Sequence, residues 1–207
     1  WTKLRAEAPV ALAEPTRPGD RPVYYVTRWA DVDAVLRDPA TFSSSINAQG
    51  AGQFMGPIML SMDGEQHRAH RFLVSHAFRA SQLARWEKGL IRPAIEGLCD
   101  SVAGRGRAEL VGEVISRFPV LVICALSGIP AGDSYRFLQW AIDIHRGMTD
   151  PEVGFAAAQA MQAYLEPIVA ARRGDPGDDL ISDIVQAEVD RNKSSDEEIF
   201  GFLRLLP

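Results

Sequence analysis

The 207-residue sequence predicts a mainly α-helical fold with a small β-sheet near its N-terminus. Three observations predict it. From residue 64 onward, apolar residues recur at helical spacing through most of the chain. Breakers such as "GRGR", "SGIPAGD", "TDPEV", "RRGDPGDD" and "RNKSS" cut that pattern into segments of ordinary helix length. Only "RPVYYVT" at 21–27 has the Val/Tyr content of a strand, and "VALA" at 10–13 is placed to pair with it across the turn "PTRPGD".

The elements follow in chain order. After the strands, "WADVDAVLR" predicts a helix over 29–37, closed by "RDPATF". The stretch 43–62, "SSSINAQGAGQFMGPIMLSM", reads as a loop, and an uninterrupted loop of about 20 residues is uncommon unless it serves a function. It mixes Gly with Phe54, Met55, Ile58, Met59 and Leu60, which suits the wall of an apolar ligand pocket. Each of these side chains could equally pack the core. Helices are expected over 64–79, 82–103, 113–127, 131–146, 151–173 and 178–191. The last segment, "SSDEEIFGFLRLLP", offers Ser194 or Ser195 as N-cap, acids in the first turn, and an apolar face of Ile199, Phe202, Leu203 and Leu206. The sequence stops soon after this helix starts. We therefore expect 1–207 to be the N-terminal half of a single domain: strands at about 10–27, a pocket loop at about 43–62, and a helical region over 64–207.

Composition narrows the function. With 46% apolar and 24% charged residues and a net charge of −5, the chain shows no basic stripe for nucleic acid. Its longest apolar run, "VLVICAL" at 120–126, is far short of the roughly 18 residues of a membrane span. Cys99 and Cys124 form neither a disulfide framework nor a metal-spaced pair, and read as reduced core thiols of a cytoplasmic protein.

The stretch "DGEQHRAHR" at 63–71 carries the most chemistry. Asp63 and Gln66 have capping-box spacing. On a helix, Leu73, Ala77, His70, Val74 and Phe78 form the buried arc, with His67 and Arg71 one turn apart at its rim. Arg68 and Arg79 share an outward stripe. A rim His–Arg pair suits a ligand whose body is buried and whose carboxylates reach the edge, or an internal salt bridge to an acid elsewhere in the fold. A zinc site of His67, His70 and His76 is disfavoured, because His70 and His76 diverge around the helix and no acid or cysteine completes the set.

Five segments resemble, in order, the bacterial cytochrome P-450 haem-thiolate monooxygenases. They are "VTRWADVDAVLRDPATFSS" (26–44), "MDGEQHRAHRFLVSHAF" (62–78), "VICALSGIP" (122–130), "DDLISDIVQAE" (178–188) and "DEEIFGFLRLLP" (196–207). The second departs from the family pattern at Gly64 and Glu65, where two prolines are usual, and at Ala69, where arginine is frequent. The resemblance implies a cytochrome P-450-like helical fold and a haem b cofactor whose propionates are held by His67 and Arg71. It implies an iron-ligating cysteine C-terminal to residue 207, so that neither Cys99 nor Cys124 is the ligand. The loop at 46–60 and the segment 131–155, which carries Ile144, Met148 and Phe155, would wall a site for a small apolar substrate. The implied reaction inserts one oxygen atom of O2 into that substrate. Electrons would come from a ferredoxin- or flavodoxin-type donor on the face bearing Arg68 and Arg79. The alternative is a non-catalytic helical haem- or ligand-binding protein.

Overall fold

The strand pair forms with the expected partners. In the computed structural model, which describes residues 1–14, 21–75, 77–189, 192–193 and 195–206, β1 (Val10–Leu12) runs antiparallel to β2 (Tyr24–Val26), with Val10 opposite Val26 and Leu12 opposite Tyr24. Thr27 extends the ladder by donating both its N–H and its hydroxyl to the Pro9 carbonyl at 2.9 Å. The turn expected at 15–20 lies outside the described residues. A short helix that the sequence reading did not contain, α1 (Thr2–Glu7), precedes β1, and α2 (Trp29–Arg37) spans the expected residues. Residues 1–44 form one compact unit and 45–207 another.

In the second unit, the stretch expected as a loop contains helical turns: α3 (Ile46–Gln49), α4 (Gly52–Met55) and a 3-10 turn over Met59–Ser61. Local propensity hid them, since the stretch is rich in Gly, Ser and Asn. Tertiary burial supplies the stability instead, with Phe54, Met55 and Ile58 all buried. The Asn47 side-chain amide donates to the Leu60 carbonyl at 2.8 Å and ties the stretch across.

The helical run continues as α5 (Gly64–Ser75), α6 (Ala80–Trp86), a π turn at Glu87–Ile91, and α7 (Arg92–Ala103). The helix expected over 82–103 is thus two, joined by a π turn just before Pro93, which has no N–H to continue the ladder. A second π turn at Val111–Ile115 leads into α8 (Arg117–Leu126). A 3-10 turn at Ala131–Asp133 leads into α9 (Ser134–Arg146), followed by α10 (Pro151–Gly174) and α11 (Leu180–Gln186). The hairpin of β3 (Glu188–Val189) and β4 (Asn192–Lys193) stands where the last turn of the 178–191 helix was expected. The final helix, α12 (Asp196–Leu205), opens with a capping box of Ser195 and Glu198; Ser194 lies outside the described residues.

The core gathers on α10, which packs against α9, α11 and α12. Ile144, Met161, Leu165, Leu180, Ile181 and Ile199 are among its fully buried side chains. Asp179 caps α11 by accepting from the Ser182 N–H at 2.8 Å and binds Arg172 Nε of α10 at 2.7 Å. Cys124 is in this core, and burial, helped by Asp133, pushes its thiol up to about 12. Cys99, expected in the core, is exposed. Leu98 takes the inward position on α7, and the next residue is rotated about 100° away. Gly201 lets α12 approach the 56–58 segment: a Cβ there would lie 2.5 Å from the Pro57 carbonyl oxygen. No helix among the described residues is long and apolar enough to cross a membrane.

Candidate functional site

Helix α5 presents the basic cluster. It begins at Gly64, whose φ of +56° a proline, locked near −65°, could not adopt, so the departure from the family pattern gives this helix its own entry geometry. His67 is half-buried and Arg71, one turn on, is exposed. Neither side chain forms a hydrogen bond or ion pair among the described residues. Their neighbour His70 does. Its Nδ1 donates to the Gln66 carbonyl at 2.8 Å, and its Nε2 lies 2.6 Å from Glu198 Oε1 at the start of α12. A carbonyl only accepts, so Nδ1 carries a hydrogen, and Nε2 is the ring nitrogen that meets the Glu198 carboxyl. Burial alone would raise the Glu198 carboxyl, but hydrogen bonds from the Ser195 N–H, His70 and the Ser195 hydroxyl outweigh it and hold the group below the usual carboxylate range. The internal salt bridge that the sequence left open therefore belongs to His70. Its partner is 128 residues away, beyond any helical-spacing rule.

A cavity of about 280 Å³ opens beside α4, between α9 and α12. It brings together Phe54, Met55, Ile58, Leu60, Ile144 and Met148 from the expected set. Four of them, Phe54, Met55, Ile58 and Ile144, are also core residues. Met59 is not on this wall. The tight 3-10 turn that starts at Met59 sends it to a separate crevice of about 20 Å³ beside His70 and Glu198. Phe155 stacks edge-on against Phe54, with ring centroids 6.0 Å apart. Sequence reasoning missed Arg204 and His145, which line the same cavity. Arg204 follows the apolar residues Phe202 and Leu203 of α12, and its Nη1 donates to the Met55 carbonyl at 2.8 Å.

The outward stripe is shorter than expected. Arg68 is exposed on α5, whereas α5 ends at Ser75. Arg79 is extended (φ −67°, ψ 153°) ahead of α6, so the two arginines are not on one helix face. Arg79 engages other groups and lines a surface cleft with Asp183. His76 lies outside the described residues. Among those described, no group of three or more His, Cys, Asp or Glu side chains is placed to hold a metal ion.

Comparison with known proteins decides the family. Over 190 residues, covering 87% of the chain, the sequence is 38% identical to the erythromycin C-12 hydroxylase of Saccharopolyspora erythraea. It is 32% identical to the cyclomarin C epoxidase of Salinispora arenicola over 89% of the chain. The fold superposes on the cytochrome P450 of the Bacillus subtilis bacillaene polyketide synthase with a TM-score of 0.85, at 28% identity over 99% of the chain. The chain belongs to the cytochrome P450 family. It spans about half the length of its P450 relatives, 47% of the hydroxylase and 52% of the polyketide-synthase P450. No family model matches. The P450 fold accounts for the combination seen here, a small N-terminal sheet and a mainly helical body.

Proposed function

We propose that the protein is a haem-dependent monooxygenase in which His67 and Arg71 hold the haem propionates and the cavity beside Phe54 takes the organic substrate. The observation that carries this reading is the division of labour on α5. Of the four basic side chains at 67–71, His70 is committed to Glu198 and Arg68 projects outward, while His67 and Arg71 at the rim have no side-chain partner among the described residues. Within a P450 chain, those are the donors that suit two carboxylates at the rim of a buried group. When bound and ligated by a thiolate, haem supplies an electron-rich iron that favours O–O cleavage. A ligating cysteine from outside residues 1–207 is consistent with the exposed Cys99 and with the buried Cys124, whose thiol burial holds protonated. The chain's own residues bind and orient: Phe54, Met55, Ile58 and Ile144 give the substrate a dry wall, while Leu60 and Met148 flank the mouth. Relatives named as hydroxylases and epoxidases support oxygen insertion as the reaction. An acidic ferredoxin- or flavodoxin-type donor docks where Arg68 projects.

The test is haem retention by Arg71→Ala. Loss of one charge-assisted hydrogen bond, about 1.5–3 kcal/mol, corresponds to haem binding weaker by roughly 10- to 100-fold. The helix itself should persist, because Arg71 is exposed and its removal opens no cavity. Full haem occupancy under dilution, with unchanged thermal stability of the haem-bound form, contradicts the assignment.

A further inference from the structure

One cation breaks the apolar wall of the cavity. Arg204 lines it from α12. Its Nη1 donates to the Met55 carbonyl at 2.8 Å and its Nη2 donates to Gln162 Oε1, both neutral acceptors. Its Nε is buried and has no hydrogen-bond partner among the described residues. A guanidinium offers five N–H donors, and the bonds described engage two of them. Burial pulls its pKa below the usual arginine value, opposed by Glu197 two turns earlier on the same helix. A partly buried charge held only by neutral groups is poorly compensated, and a carboxylate is the partner whose geometry matches the guanidinium fork. His145 lines the same cavity. Its Nδ1 donates to the Ala141 carbonyl at 2.8 Å, which leaves Nε2 with no partner among the described residues. Around this polar end the remaining wall is apolar: Phe54, Ile58, Ile144, Met148 and Leu205.

We infer that the cavity is built for an amphipathic acid, with its carboxylate seated on Arg204 and its apolar chain along Phe54, Ile58 and Ile144. The inference rests on reading this cavity as the substrate site, and it narrows the substrate from any apolar molecule to one bearing a carboxylate. Arg204 also clamps the Met55 carbonyl to Gln162, but that clamp needs only N–H donors and leaves the positive charge unneutralised.

Calorimetric titration of the haem-loaded protein with decanoate and with decanol, which share a chain length and differ in charge, tests it. Decanoate should bind at least about tenfold more tightly, the range of one charge-assisted hydrogen bond. Arg204→Gln should abolish that preference, bringing the ratio of the two affinities to within about twofold, and Arg204→Lys should retain part of it. Equal affinities in the unsubstituted protein, no binding of either probe, or a preference that survives Arg204→Gln would each overturn the proposal. The first needs no variant, so it holds even if Arg204→Gln does not fold. Haem content of the same samples separates the two readings. Haem-replete protein that does not prefer decanoate counts against the carboxylate site alone. A decanoate-selective protein that takes up no haem counts against the monooxygenase.

Discussion

Glu198 serves two helices at once. Its Oε2 accepts from the Ser195 N–H at 2.8 Å and so caps α12, while its Oε1 faces His70 of α5 at 2.6 Å. Its folded-state pKa lies below the usual glutamate value, so its contribution to stability is fully present above that usual value and is lost as pH falls through the folded pKa. Glu198→Gln should therefore be less stable than the unsubstituted protein near neutral pH, and the gap should close as pH falls through the folded pKa and Glu198 itself takes up a proton. Parallel unfolding curves for the two proteins across that range, with a constant gap, would show that the pairing with His70 contributes nothing. At this scale the sequence exposed residue types but not long-range partners. The His67–Arg71 spacing was legible because it is helical. The His70–Glu198 pair and the placement of Arg204 against Met55 were not, because each joins residues far apart in sequence.

Among the elements, those with strong periodicity were legible. Helix α2 matches its expected bounds, and α10 differs by a single residue. The errors share a physical origin. In α3 and α4, burial of Phe54 and Met55 overrides weak local propensity. At 87–91 a proline just downstream converts one helix into two. Buried side chains and Arg204 anchor α4 within the 43–62 stretch expected as a loop. The end of α5 matters most for function. Because the helix stops at Ser75, Arg68 is the member of the expected pair on α5, and Arg79 belongs to the entry of α6. The partner-docking proposal therefore narrows to Arg68. Arg68→Glu should raise KM for an acidic electron donor severalfold at low salt and less at high salt, with substrate affinity unchanged. Donor kinetics that do not depend on the sign of the charge at residue 68, at any ionic strength, would remove Arg68 from the docking face.

For the whole molecule, a long-wavelength thiolate signature is the outcome to look for, because the central claim joins two parts of one protein. The proposal assigns the propionate donors and one side of the substrate cavity to residues 1–207, and the iron's thiolate to a cysteine other than Cys99 and Cys124. That assignment is consistent with the cysteines described, one exposed and one buried with its thiol pushed up to about 12. It also agrees with a chain that spans about half of its P450 relatives. The most direct measurement is the absorption spectrum of the full-length protein, reduced and exposed to carbon monoxide. The expected result is a bound haem whose Soret band moves to the long-wavelength position characteristic of thiolate ligation, and the same band in a Cys99→Ser, Cys124→Ser double variant. Absence of haem, a Soret band at the shorter-wavelength position of histidine-ligated haem, or loss of the long-wavelength band in the double variant would contradict it.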